Sequence, residues 1–259
     1  MIVDCHTHWG ICWQERYPDN PDPWLAVLDK HGISAAFLMP HAGIQDSRQC
    51  ALDNDRLAEL ARKSPRRLVP LGSAWPQLGE RAVQEARRCL TTLKMKGLKF
   101  HPWLQGFSLS STTFGQICGF AGEAGAPIFF HDGTPPYSLS EQVAGLARRF
   151  PKTTFVLGHS GILWNWRSAL AASRHANIWI CLCGPHLRAM EILAQKADPD
   201  RILWGSDFGF GLADPIAYRL PLLRAARIAD ELRDKILSAN PRRLMRLNEG
   251  TAGKNIADA

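Results

Sequence analysis

The chain has 259 residues, 46% hydrophobic and 21% charged, enough apolar material for one large core and too little compositional bias for disorder. No apolar run reaches the roughly 18 residues of a membrane span, and the N-terminus lacks a basic stretch followed by an apolar signal core. The net charge of +7 would suit an anionic partner, but the arginine pairs Arg66/Arg67, Arg87/Arg88, Arg148/Arg149 and Arg242/Arg243 are scattered instead of forming one stripe, so nucleic-acid binding is not expected.

Short β-branched or aromatic runs alternate with longer stretches of helical period. In chain order the predicted strands are IVDCHTH, ISAAFLMP, RLVPLGSAW, MKGLKFHP, PIFFHDG, TFVLGHSG, NIWICLCG and RILWGSDF. Between them lie PWLAVLDKHG, NDRLAELARKSP, ERAVQEARRCLTTLK, FGQICGFAGEAG, SEQVAGLARRFP, WRSALAASRHAN and HLRAMEILAQKADP, several of which stop at Gly or Pro as helices should. The last helical stretch, 215–247, is expected to be broken at Pro221 and Pro241 into two or three helices. Residues 249–259 read as a flexible C-terminal tail.

Eight βα repeats in about 250 residues define the expected fold as α/β, a single-domain (β/α)8 TIM barrel over 1–248. An open doubly wound sheet fits less well. No Gly-rich phosphate fingerprint follows the first strand, and polar residues end many strands instead of the few beside one switch point.

Six of the nine histidines, His6, His8, His41, His101, His131 and His159, fall at or just past predicted strand ends, which in a barrel form the active-site mouth. Alternation on the first strand would turn Asp4, His6 and His8 to the barrel axis and Cys5 and Thr7 to the helices. His131, His159 and Asp207, at the ends of strands five, six and eight, can converge on the same axis. The result is a nitrogen and oxygen set that suits Zn²⁺, Mn²⁺ or Fe²⁺.

With these pieces in place the chain resembles the amidohydrolase superfamily, in particular the amidohydrolase-related branch of compact barrels that includes aminocarboxymuconate-semialdehyde decarboxylase. The resemblance is carried by DCHTH at 4–8, GLKFHP at 97–102, FFHDG at 129–133, LGHSG at 157–161, WGSDFGF at 204–210 and ILSAN at 236–240, and it spans nearly the whole chain. It implies that His6, His8, His131 and Asp207 hold one divalent metal, zinc first and manganese or iron(II) as alternatives. His159 would stand close by as an acid/base or electrostatic group. Related barrels carry a carbamylated lysine on strand four; here Lys99 is read as a buried positive group near the site, with a second metal left open.

The expected reaction is metal-assisted hydrolysis of a small amide, ester or lactone, with Asp207 taking the proton of the attacking water and His159 stabilising the oxyanion. The alternative is non-oxidative decarboxylation of a small, possibly aromatic, carboxylic acid at the same centre. Substrate contacts are expected from His101, Lys99, His41 and Trp103, although His41 and His101 could equally be satisfied core groups. Asp4 reads as a partner that orients a ligand imidazole. Trp9, Trp13, Trp103, Trp164 and Trp166 are candidates for an apolar pocket wall, and Trp24, Trp75, Trp179 and Trp204 for packing between barrel and helices. His31 and His175 read as helix caps, while His186 either starts a helix or borders the mouth. The odd cysteine count suggests reduced thiols and a cytoplasmic enzyme; Cys181 and Cys183 of CLC could be soft metal ligands, but in an apolar strand they read first as small buried hydrophobes. A small-molecule substrate, no membrane partner and a possible homodimer complete the expectation.

Overall fold

The computed structural model describes residues 1–9, 11–12, 15–16, 20–162, 164–211 and 214–246. Trp13 and the tail at 249–259 lie outside them. All eight predicted strands form: β1 (Val3–Trp9), β2 (Ala35–Pro40), β3 (Leu68–Gly72), β4 (Gly97–Phe100), β5 (Ile128–Phe130), β6 (Phe155–Leu157), β7 (Ile178–Cys181) and β8 (Ile202–Leu203). They are parallel and lie in the sheet in chain order. The first and last strands then meet. Cys5 N donates to Trp204 O (3.0 Å), Asp207 N to His6 O (2.8 Å) and His8 N to Phe208 O (2.7 Å), closing a single-domain (β/α)8 barrel. Among the described residues no helix is long and apolar enough to cross a membrane.

Alternation sorts the strands into two apolar layers. Leu38, Leu98, Phe100, Phe130, Leu157 and Ile180 face the helices, whereas Phe37, Leu71, Phe129, Val156, Cys181 and Leu203 fill the barrel. Several tryptophans depart from expectation. Trp9 packs in the outer layer against Trp24 at 5.9 Å, Trp166 is buried in the same layer, and Trp164 is 84% exposed, so none of the three walls a pocket. Trp179 lies inside the barrel instead of outside it.

The closing segment also corrects the sequence reading. Pro221 sits within an unbroken helix, Ile216–Ala225, where the residue four earlier, Ala217, is exposed and water can satisfy its carbonyl. Pro241 likewise lies in a continuous run through Asp230–Asp234, Lys235–Ala239 and Asn240–Leu244. The break falls between these runs instead.

One irregularity in β1 positions the site. Val3 and Asp4 pair with Ala35 and Ala36, but Thr7 and His8 pair with Leu38 and Met39, so Cys5 and His6 together face the single residue Phe37. This bulge resets the alternation. Below it Val3 and Cys5 point into the barrel core; above it His6 and His8 do. Asp4 therefore does not share the inward face of the histidines. Its carboxylate accepts from His6 N (3.2 Å), Ser206 N (3.0 Å) and Ser206 Oγ (2.5 Å), tying β1 to the chain just after β8.

A second carboxylate braces the chain after β2. Asp53, in the first turn of helix Cys50–Lys63, accepts from His41 N (3.2 Å) and Gly43 N (2.8 Å), while its other oxygen is buried with no hydrogen-bond partner. Burial lifts this carboxyl to about 6, against the pull of its two backbone bonds. A raised carboxyl favours the folded state below pH 4, and that contribution is lost as pH climbs through 6. Relative to Asp53→Asn, the wild type should lose up to about 3 kcal/mol of unfolding free energy between pH 4 and pH 7, at about 1.4 kcal/mol per unit. Urea denaturation at the two pH values measures it. An unchanged difference would mean that Asp53 ionises normally in the fold.

Candidate metal centre

His6 and His8 leave β1 side by side, their rings 5.3 Å apart, and the chain after β8 brings Asp207 against both. Asp207 Oδ1 lies 3.6 Å from His6 Nε2 and 3.5 Å from His8 Nε2. The other nitrogen of each ring is held by backbone: His6 Nδ1 donates to Gly158 O (3.1 Å) and His8 Nδ1 to Pro40 O (2.9 Å). These bonds fix the proton on Nδ1 and aim both Nε2 lone pairs at the carboxylate, the arrangement a divalent ion requires. Burial, then the Lys99 charge, holds both histidines well below their usual range, so the lone pairs stay free of protons. The residues present thus fit a metal ion.

Lys99 qualifies that fit. It is fully buried on the inward face of β4, and its Nζ donates to His6 Nε2 at 2.9 Å, the lone pair an ion would use. Lys99 lies under His6 instead of on an open substrate face. Burial lowers it to about 8 and raises Asp207 to about 6, so desolvation outweighs their mutual attraction in both. Protein surrounds the Asp207 carboxyl, yet 30% of its side chain still opens to the mouth.

The remaining histidines form a second tier. His159 sits 4.6 Å from the His6 ring and 4.4 Å from the His131 ring. His131 stacks on His101 at 3.8 Å and 11°, with its Nε2 3.1 Å from Thr134 Oγ1. Among the described residues the donor groups gathered within 4.8 Å of one another are His6–His8–Asp207 and His6–His159–Cys183, and His131 belongs to neither. His101 Nδ1 accepts from Leu104 N (3.4 Å) and so caps the short helix Pro102–Gln105, where Trp103 is 53% exposed. His41 is buried beside Gln45 and Phe210. His186 caps helix Leu187–Lys196, and His31 caps helix Asp22–Lys30 with Nε2 on Asp214.

Local backbone explains the motifs. A Cβ on Gly205 would come 2.5 Å from His6 Cβ, and one on Gly158 would strike Phe130 O and come 2.8 Å from His6 Cε1. Both positions need glycine for the imidazole to stand where it does. Asp207 has φ +65°, a left-handed conformation that Asp tolerates better than most residues. After β6, Ser160 and Ile162 also have positive φ, at +48° and +56°. Asp132 braces that turn, accepting from His159 N (2.7 Å) and Gly161 N (2.6 Å).

Two site residues escape the sequence reading, and a third is weighed there and set aside. Phe210 lies 5.0 Å from His8, 4.9 Å from His41 and 6.2 Å from His101, roofing the histidines; its signal was the second Phe of DFGF. Asp132 was visible beside His131 in FFHDG, but its bonds to the next strand's turn were not. Cys183 stands in the CLC pair that the sequence offers as soft ligands but favours as core.

A closed parallel barrel with two strand-one histidines and a strand-eight aspartate at its mouth defines a metal-dependent barrel enzyme. Residues 3–247 match the family described as Amidohydrolase, and the chain belongs to it. One relative is the 2-amino-3-carboxymuconate-6-semialdehyde decarboxylase of Dictyostelium discoideum, 31% identical over 128 residues, 46% of this chain and 34% of that protein. The match therefore spans about a third of the relative. Among solved structures, 2,6-dihydroxybenzoate decarboxylase from Rhizobium is similar with TM-score 0.75 and 21% identity, covering 95% of this chain and 98% of that one. A dihydroxybenzoic acid decarboxylase from Polaromonas sp. JS666 with bound manganese has TM-score 0.73 and 18% identity, covering 96% and 97%.

The glycine at 158 provides a test of the centre. Gly158→Ala should push the His6 ring aside and weaken Mn²⁺ or Zn²⁺ affinity about tenfold to a hundredfold, the usual size of a disturbed ligand support. Gly119→Ala, where nothing lies within 4 Å, should leave affinity unchanged. Calorimetric titration of both folded variants decides; equal affinities would remove His6 from the ligand set.

Proposed function

We propose that this enzyme is a metal-dependent, non-oxidative decarboxylase of a small aromatic or conjugated carboxylic acid. The observation that carries the proposal is the convergence of His6, His8 and Asp207 beneath the ring of Phe210. Three donors suit one divalent ion, and the half-buried Phe210, packed on His41 and His101, offers a flat face on which a planar acid can stack. The decarboxylases among its relatives support this reaction over the hydrolysis expected first. The family description keeps hydrolysis as the second reading, since the same donors can serve an attacking water. Manganese in one similar structure favours that ion, and zinc suits the same donors.

His6, His8 and Asp207 would hold the ion, which would supply positive charge to attract the substrate's carboxylate. Buried Lys99 adds positive charge below, so the site favours an anion. Asp207, 30% exposed where His6 and His8 are 0% and 2%, faces the substrate and is placed to hand a proton to the carbon that carries the carboxylate. The carbon–carbon bond then breaks and CO2 leaves. His159, neutral and tilted against the His6 ring, would contact the substrate's polar edge, its backbone fixed by Asp132.

Incubation of the Mn²⁺-loaded enzyme with hydroxybenzoates and unsaturated dicarboxylates in D2O should release CO2 and leave one deuterium on the product carbon. Lactone opening without CO2 would reverse the choice of reaction. In Asp207→Asn, saturated with metal, turnover should fall at least about a hundredfold. Turnover within tenfold of wild type would take Asp207 off the proton path. In His159→Asn, metal content should persist while turnover drops by a similar factor; parallel loss of metal would make His159 a ligand.

A further inference from the structure

The end of β7 carries chemistry that the proposed reaction does not use. Trp179 and Cys181 point into the barrel, while Ile180 and Leu182 face the helices, so Cys183 continues the inward face toward the mouth. Cys181 is sealed among core side chains. Cys183, 1% exposed, stands one step higher, and its Sγ, a nitrogen of His6 and a nitrogen of His159 lie within 4.8 Å of one another. Cys5 and Cys50 find backbone acceptors, on Val3 O and Ser73 O. Among the described residues no hydrogen bond engages the Cys183 thiol.

We propose that His6, His159 and Cys183 form a second cation position, selective for thiophilic divalent ions such as Zn²⁺, Cd²⁺ and Co²⁺, which competes with the His6–His8–Asp207 position. Competition follows from His6. Its Nδ1 is committed to Gly158 O, so a single lone pair, on Nε2, serves either position once an ion displaces the Lys99 ammonium that donates to it, and one ion excludes the other. Donor softness then sorts the metals. Two imidazoles and a carboxylate suit Mn²⁺, whereas two imidazoles and a thiolate suit ions that bond strongly to sulfur. As the metal–sulfur bond forms, the thiol proton leaves to solvent. A thiophilic ion in the second position also occupies His159 and so takes it from the substrate.

The inference shares His6 with the proposed function, but its test reads metal–sulfur bonding and not turnover. One equivalent of Co²⁺ added to the metal-free full chain should produce a near-ultraviolet sulfur-to-cobalt charge-transfer band. The band should vanish in Cys183→Ser and survive in Asp207→Asn. Cd²⁺ affinity should fall at least about tenfold in Cys183→Ser, as expected for loss of a thiolate from a soft site, while Mn²⁺ affinity stays within twofold to threefold. Stoichiometric Co²⁺ binding without the band, or a band that persists in Cys183→Ser, overturns the proposal. Cadmium-113 NMR of the wild type gives a reading independent of any variant. A resonance in the thiolate range supports the second position, and one in the nitrogen and oxygen range overturns it. A Mn²⁺-loaded enzyme that released no CO2 would defeat the decarboxylase reading and leave these outcomes unaffected.

Discussion

The seam where β1 meets β8 fixes the candidate centre. His6 O, His8 N and the backbone of Asp207 and Phe208 are hydrogen-bonded across it, so the bonds that close the barrel also set the distances among His6, His8 and Asp207. The bulge at Cys5 and His6 is what lets one strand serve two masters. A regular strand with Val3 and Cys5 in the core would turn His6 and His8 outward to the helices. One extra residue reverses the parity, and Asp4, freed from the axis, spans the seam through Ser206. Stability and function therefore share the same few backbone bonds.

The electrostatics follow from how deeply those residues are set. Five imidazoles, His6, His8, His101, His131 and His159, are buried near one another and near Lys99, and each is held neutral first by desolvation. Together they offer lone pairs without adding charge, which is what a cation position needs before the cation arrives. Lys99 is the counterweight. Its bond to His6 Nε2 satisfies that nitrogen in the absence of an ion, and ammonium and metal are alternatives at one atom. Asp207, open to the mouth and close to both histidines, connects this dry interior to whatever binds above it.

Much of this was legible in the sequence because strand ends in a barrel must face one mouth. The eight runs and the inward pairs Lys99/His101 and Cys181/Cys183 obey a period of two, and the order DCHTH, FFHDG, LGHSG, WGSDF placed the polar residues at the correct ends. Where reading failed, the cause was a break in that period or a side-chain rotamer. The β1 bulge leaves no compositional mark, so Asp4 was assigned to the axis. His131 stays a ligand candidate; in this structure its ring stacks on His101 and meets Thr134, outside the His6–His8–Asp207 group, an orientation set by neighbours that the motif does not show. Pro221 was read as a helix break because the exposure of Ala217 is a tertiary fact.

Cys183 shows why parity carries further than residue type. Read by type, CLC in an apolar strand is two small hydrophobes, and for Cys181, enclosed with Phe129 and Leu203, that is what the fold makes of it. Read by parity and height, the second thiol is at the level of His6 and His159, above the last apolar layer. A buried side chain beside the imidazoles of His6 and His159 gains little from sulfur as a hydrophobe alone, since Val or Ala would fill such a space without a titratable group. Its value lies in the metals it can discriminate. The same barrel layer that gives the carboxylate of Asp207 to a hard ion thus presents, on the neighbouring strand, the donor that would draw a soft ion away from it.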